Sequence, residues 1–472
     1  MEFASAGSWL DRFGRARQTL VLHLWAFLYK GSKGKILKRL LAILACATPV
    51  FAQYAGPAIL SRGDAPSAME APQISFRPFL EVTGIYNTGL AGVGVNSQGA
   101  LGNTASAGVD FGGGISGVHS WRHTMISVDY RGEFREYTKA TYFDSSNQSM
   151  KLQLKHQFTR HVTLELRENA GSFSQAYGLV GLSPAVPFDP STTNVPTTDF
   201  FDNRTIYANT GAELIFQKTA RLSFDFGGDG FITSRRSAAL ASVVGASAHA
   251  DVQYRLTRRT TIGGNYNFTE FSYSGVLSNT NLHGLAATYA IQLTRHLEFT
   301  GYGGAMRVET KFVQDVPVDP VIAALIGLTE STRIDYSVRY VPNINARLSN
   351  TFKTGVLYVG GGHTVTPGNG LFLTSIMTTV TGGYSYTGLR SWSFNAHGAY
   401  DNADSIGNVS GKYRDESGGF SASRQIARAF HAVASFDARK YSSPNFALYN
   451  RVVYESKIGV GWTPGDVPLR IW

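Results

Sequence analysis

The side chains best placed to do chemistry in this chain are charged residues that recur at every second position. Asp129, Arg131, Glu133 and Arg135 lie opposite Ile126, Val128 and Tyr130. Asp251, Gln253 and Arg255 lie opposite Val252, Tyr254 and Leu256, and Arg333, Asp335, Ser337 and Arg339 opposite Ile334, Tyr336 and Val338. Arg451, Glu455 and Lys457 repeat the arrangement against Val452, Tyr454, Ile458 and Val460. A period of two puts one set on each face of a strand. These are walls of fixed, mixed charge, suited to ordering water and polar solutes. Patterns for bond-making chemistry fail. Gly112-x-Gly114-x-x-Gly117 has the spacing of a dinucleotide-binding loop, but it sits in a Gly-rich strand with no helix after it. Neither Gly-x-Ser-x-Gly nor His-Glu-x-x-His occurs, and the eleven histidines are scattered. His363 and His397 are the candidates for a hydrolase set at a rim. The reading is of a protein that is not an enzyme and uses no cofactor.

The elements that carry these faces follow a fixed period. Gln157-Phe-Thr-Arg-His-Val-Thr-Leu-Glu-Leu-Arg167 is a short basic turn between two alternating runs. The phrase returns with a basic residue at 122, 160, 221, 258, 295, 353, 390 and 428. The successive spacings are 38, 61, 37, 37, 58, 37 and 38 residues. Such a repeat marks a single supersecondary unit, here strand, tight turn, strand, longer loop. Seven intervals supply fourteen strands, with two more at each end, which gives eighteen. Sixteen is the alternative if the Gly-rich first pair fails to form.

Composition agrees with many strands: 51 glycines, 12% aromatic and only 16% charged residues. The net charge of +10 is concentrated at the start, because residues 1–52 hold eight basic and two acidic side chains. The other 420 residues carry +4, too dilute for a nucleic-acid partner. Residues 1–52 read as an export leader: Lys33, Lys35, Lys38 and Arg39, then apolar Leu40 to Ala47, then Val50-Phe51-Ala52 as a cleavage site. Ile43-Leu-Ala-Cys46 reads alternatively as a lipoprotein site. Cys46 is the only cysteine, so residues 53–472 hold no disulfide or Cys-based metal site. Residues 53–75 read as a flexible periplasmic lead-in, and 76–472 as the folded body with a short C-terminal tail after Trp462.

The alternating runs reach about ten residues, against a mode of about 5–6 in soluble proteins. Aromatics collect beside the short turns: Phe158, Phe216, Tyr254, Tyr384, Tyr386 and Trp462. That belt belongs to a bilayer interface. The fold class expected is all-β, a transmembrane antiparallel up-and-down barrel with short periplasmic turns and longer extracellular loops. About eighteen strands enclose an aqueous lumen. Two connections are long: Ala176 to Phe201, with four prolines, Asp189 and Asp199, and Val313 to Ser331, with an apolar run from Val321 to Leu328.

The leader, the alternating strands, the periodic turns and the terminal Trp472 resemble Gram-negative outer-membrane β-barrel porins, nearest the putative beta-barrel porin families of this size. Some of those look linked to exopolysaccharide export. Pro468 and Arg470 depart from the family's usual last strand, so the last strand is expected to end near Trp462. The resemblance implies an outer-membrane location and passive diffusion of small polar solutes, with an accessory role in exopolysaccharide secretion as the alternative. Its implied partners are outer-membrane lipid, the barrel-assembly machinery, and small polar solutes or polysaccharide. In general porins the loop between the fifth and sixth strands folds into the lumen. The expected constriction therefore sets Asp189 and Asp199 against Arg131, Arg135, Arg167 and Arg255. Arg333, Asp335 and Arg339 complete the expected pore lining.

Overall fold

The computed structural model describes residues 74–463 apart from 96–100, 140–143, 174–203, 238–239, 276–277, 318–329, 369, 371–372, 387, 390, 407–410, 428 and 445–449. All regular structure in the described residues is strand. The first six strands are β1 (Ile74–Val95), β2 (Leu101–Ser120), β3 (Thr124–Tyr137), β4 (Ser145–Gln157), β5 (Val162–Phe173) and β6 (Thr205–Gln217). β7 (Leu222–Arg235), β8 (Ser242–Arg255), β9 (Thr260–Ser274), β10 (Ser278–Gln292), β11 (Leu297–Pro317) and β12 (Glu330–Phe352) follow. The last six are β13 (Gly355–Thr366), β14 (Ser375–Tyr386), β15 (Trp392–Ser405), β16 (Lys412–Gln425), β17 (Phe430–Ser442) and β18 (Arg451–Trp462). Each strand pairs antiparallel with its sequence neighbours, and β1 also pairs with β18. The sheet is therefore a closed eighteen-strand barrel, with β18 ending at Trp462 as expected.

The short turns explain the period. Thr159 Oγ1 accepts hydrogen bonds from the backbone N–H of His161 (3.1 Å) and Val162 (3.1 Å). Thr219 does the same for Arg221 and Leu222, and Thr294 for His296 and Leu297. Thr257 accepts from Arg259 at 3.1 Å. In these four turns the phrase is Thr-x-Arg/His, a hydroxyl-capped turn. The threonine shapes the chain, and the basic residue stands beside it in solvent. Arg390 and Arg428 lie outside the described residues.

Alternation sorts the wall into two faces. Outward are large exposed apolar side chains such as Leu80, Val82, Phe226, Val252, Ile458 and Val460. Inward, at the intervening positions, lie Thr83, Asp110, Asp225, Gln253 and Glu455, all buried. Phe158, Phe216, Tyr254 and Tyr384 are exposed near the short turns as expected. A second set of outward aromatics, Tyr86, Phe134, Phe436 and Tyr454, stands farther up. Eight residues separate Tyr454 from Trp462 on β18. At about 3.3 Å per residue and a tilt near 40° that spacing is about 20 Å of height, close to the apolar band of a membrane barrel.

One expected loop is corrected. Val313 to Ser331 was to be a connection, yet Val313–Pro317 continues β11 and pairs with Glu330–Ile334 of β12. Alternating Val313, Ile334, Tyr336 and Val338 keep extended backbone favourable, so the extra length becomes a projecting hairpin. The rest, 318–329, is outside the described residues, as is Ala176 to Phe201.

Ile458 faces outward at 71% exposure, midway between Tyr454 and Trp462. Ile458→Arg should destabilise the folded barrel in liposomes by about 2–4 kcal/mol. Ser435→Arg, on the opposite face of the neighbouring rung, should cost far less; urea unfolding of both variants checks the assignment of faces.

Candidate functional site: a divided lumen

The inner wall is not uniform around its circumference. Over β7 to β13, about ten residues above the short turns, it carries bulk: Phe231, Phe271, Tyr273, Met306, Val308 and Val341 are buried in one apolar cluster. The connection between β13 and β14 folds in to complete it, contributing Leu373 beside Val365. Its backbone is pinned to strands well away from its own. Tyr273 Oη donates to the Pro367 carbonyl (3.0 Å) and pairs with Thr374 Oγ1 (3.2 Å), which also meets Thr280 Oγ1 at 2.6 Å. Ala241 N–H donates to the Gly370 carbonyl (3.0 Å), and Arg235 Nη1 donates to the Ala241 carbonyl (2.6 Å). Ile406 N–H donates to the Thr374 carbonyl (2.9 Å). Gly370 has φ +90°, a left-handed conformation that disfavours a side chain. A Cβ there would also meet the Ala241 carbonyl and the Arg235 side chain, both at 2.9 Å. At this height the arc is packed with apolar side chains.

The opposite arc, β15 to β18 and β1 to β4, lines an open cavity of ≈ 340 Å³. Its wall offers five carboxylates (Glu81, Asp110, Glu133, Asp437, Glu455) and three fixed cations (Arg131, Arg439, Lys457), with hydroxyls and amides such as Thr83, Ser149, Ser417, Asn147 and Asn395 between them. Asp110, Glu133, Glu455 and Lys457 join Arg135 in one ion-pair network across β2, β3 and β18, which Asn87 of β1 extends. Arg135 reaches Asp110 (3.2 Å), Glu133 (3.0 Å) and Glu455 (3.2 Å). Lys457 reaches Asp110 (2.8 Å), Glu133 (2.9 Å) and Glu455 (3.7 Å). Asn87 Nδ2 donates to Glu455 at 2.9 Å. A second pair, Arg439 on Asp415, is bidentate at 2.5–2.9 Å and lies over Tyr441 at 4.9 Å. His397 Nε2 stands 3.3 Å from Asp437. Held dipoles and charges of both signs replace part of a polar solute's hydration without closing on it.

The sequence-predicted residues distribute as follows. Arg131 (β3) lines the cavity, paired with Asp129 at 3.1 Å, and Arg135 sits behind it in the network. Arg167 (β5) stands 3.6 Å from Glu213 and 3.7 Å from Asp229. Arg255 ends β8 at the short turns, its Nη2 near the Arg258 carbonyl. Arg333, Asp335 and Arg339 share the inward face of β12, nine strands from β3 and so on the far side of the barrel. Arg333 lies 19 residues from Phe352, about 50 Å above the short turns, paired with Asp335 at 2.7 Å. These residues are not brought to one ring. Asp189 and Asp199 lie outside the described residues. His363 points outward to Thr378 (2.8 Å).

Sequence reasoning missed the infolded connection. Its signal was Pro367-Gly-Asn-Gly370 followed by Leu371-Phe-Leu373, apolar where an exposed loop would be polar. With no excess length, it fell within the ordinary 37-residue period. Asp110, Asp415, Asp437 and Arg439 were missed because their partners sit on other strands.

No protein-family model matches this chain, and no curated protein matches it. Among solved structures it is similar to Pseudomonas aeruginosa OpdQ, at 12% identity and a TM-score of 0.40 over 84% of this chain and 98% of that one. Pseudomonas aeruginosa OccK2 in complex with glucuronate gives 11% identity and 0.39 over 83% and 98%. Acinetobacter baumannii OccAB3 gives 11% and 0.38 over 82% and 98%.

Arg135 is 2% exposed among three carboxylates. Arg135→Ala should cost on the order of 3–5 kcal/mol, since Lys457 alone then faces Asp110, Glu133 and Glu455. Leu373→Ala, which leaves a void in the packed arc, should cost about 2–5 kcal/mol. Urea unfolding of refolded barrels measures both.

Proposed function

We propose that this protein is an outer-membrane channel through which small polar solutes diffuse passively, the path running along the charged arc. The observation that carries the reading is the division of the lumen: one side filled by apolar packing, the other an open cavity walled by carboxylates, cations, hydroxyls and amides. An outward apolar band supports the membrane location, and closure leaves no strand edge for lipid to meet. The leader expected over residues 1–52 would bring the chain to the periplasm, the barrel-assembly machinery would insert it, and lipid would surround it. Of the residues expected at the constriction, Arg131 lines this path and Arg135 lies buried in the network behind it. Arg167 stands farther round the wall, and Arg333, Asp335 and Arg339 belong to the mouth.

Single-channel recording of refolded protein in a planar bilayer should give stable, ohmic steps. Folded, inserted protein that gives none would remove the channel reading. Selectivity should follow the local charge. A unit charge about 8 Å from the path in a water-like medium is worth about 0.5 kcal/mol, roughly a twofold change in permeability ratio. Lys457→Gln should shift reversal potentials in a KCl gradient toward cations by that amount, and Glu81→Gln should shift them the other way.

A further inference from the structure

Away from the charged arc, the inner wall of β6 to β8 gathers a second set of titratable side chains that the diffusion path does not use. Glu213 on β6 and His249 on β8 lie on one rung, with Gly227 of β7 between them. Asp225 stands two residues along the same face of β7. Ligand atoms of the three side chains all lie within 4.8 Å of one another. Glu213 is 9% exposed and Asp225 3%. The glycine is what lets them meet: a Cβ at 227 would strike His249, whose Cε1 and Nε2 occupy that space, Nε2 at 2.6 Å. The imidazole therefore leans across the middle strand toward the carboxylates.

The surrounding inner face is rich in carboxylates. Asp229 and Asp251 flank the three residues on the same inner face, paired in register with Ser247 and Asp225. Arg167 lies nearby, 3.6 Å from Glu213 and 3.7 Å from Asp229. Asn265 Nδ2 donates to Asp251 at 2.7 Å, and Asn267 stands beside His249 on the rung. Glu213, Asp225, Asp229 and Asp251 thus gather four carboxylates on one stretch of partly desolvated wall, a setting that attracts a divalent cation. Ligands about 2.0–2.2 Å from a single tetrahedral zinc ion lie about 3.3–3.6 Å from one another. Ligand atoms within 4.8 Å of one another reach that arrangement with side-chain shifts of at most about an ångström.

We infer that Glu213, Asp225 and His249 form a binding site for a divalent first-row transition-metal ion. Two carboxylate oxygens and one imidazole nitrogen are a mixed donor set. Mg²⁺ and Ca²⁺ prefer oxygen alone, whereas zinc, manganese and nickel accept the nitrogen. One ligand comes from each of three adjacent strands, so the ion would tie β6, β7 and β8 together from the lumen side.

The test is calorimetric titration of ZnCl₂ into chelator-treated, refolded full-length barrel in detergent, which requires no channel activity and so is decided independently of the proposed function. Binding of one zinc per chain is expected, with a raised unfolding temperature. Asp225→Asn and His249→Ala should each weaken binding by about tenfold or more. Gly227→Ala should do the same with all three ligands retained, because it displaces the imidazole. Asp229→Asn, which leaves the three ligands in place, should retain saturable binding. Co²⁺ loaded in place of zinc should show a visible spectrum that His249→Ala alters. Heat-modifiable migration on gels and circular dichroism establish that each variant is folded. Folded wild-type barrel that binds no zinc, or folded ligand variants and Gly227→Ala that bind it as tightly as wild type, would overturn the inference.

Discussion

Everything in this structure depends on the closure of β1 onto β18. In hydrocarbon, an unpaired backbone N–H or C=O has no water to bond, so an open edge is untenable. The closing ladder is nonetheless the shortest in the barrel: eight residue pairs, Leu80–Asn87 against Trp462–Glu455. It stops where β1 becomes irregular between Asn87 and Leu90. There side chains take over from the ladder. Thr88 Oγ1 accepts from the Tyr454 N–H at 2.9 Å, and Asn87 Oδ1 accepts from the Gly89 N–H at 2.8 Å. Gly89 itself lies against Val453, with no room for a Cβ.

The charge network sits over this same seam. Asn87 to Glu455, Arg135 to Glu455 and Lys457 to Asp110 all join the first strands to the last, across more than 300 residues of sequence. A slip of one residue in the closing register would send Glu455 and Lys457 to the lipid side. Burial of charges is weak evidence for stability in itself, but removal of one partner is costly. The network thus makes the wrong register expensive, and the same side chains form the wall of the open cavity. Closure and the polar path are two consequences of one set of contacts.

How much of this was legible follows from the range of each interaction. Strand number, turn positions and the inward or outward sense of Arg131, Gln253 or Ile458 depend on neighbours within a few residues, and the alternation displays them. The hydroxyl-capped turns were visible as a period, though the basic residue drew attention from the threonine that does the bonding. Pairings across strands were not legible. The heights and angular positions of Arg131, Arg167, Arg255 and Arg333 were not legible either, because they depend on strand stagger, which a single sequence does not display. The infolded Pro367–Thr374 connection was hidden for a different reason. Its anchors, Tyr273 and Thr280, lie about a hundred residues away, so only its misplaced apolar residues hinted at its direction.

The two arcs show opposite solutions to the same problem, a barrel too wide for its inward side chains to meet. On the packed arc the wall carries bulk at Phe231, Phe271 and Met306, and a loop supplies the missing partners. On the charged arc the wall carries glycine beneath long polar residues. A Cβ at Gly419 would meet both Asp437 and the His397 ring, so those side chains lie along the sheet instead of standing out from it. Flattening them keeps the cavity open while retaining their charge at its surface. Filling one side and flattening the other displaces the polar path from the barrel axis toward the closing seam. A solute following the proposed path would meet the residues that fix the register of the whole wall, so substitutions there cannot be made independently of those that hold the barrel shut.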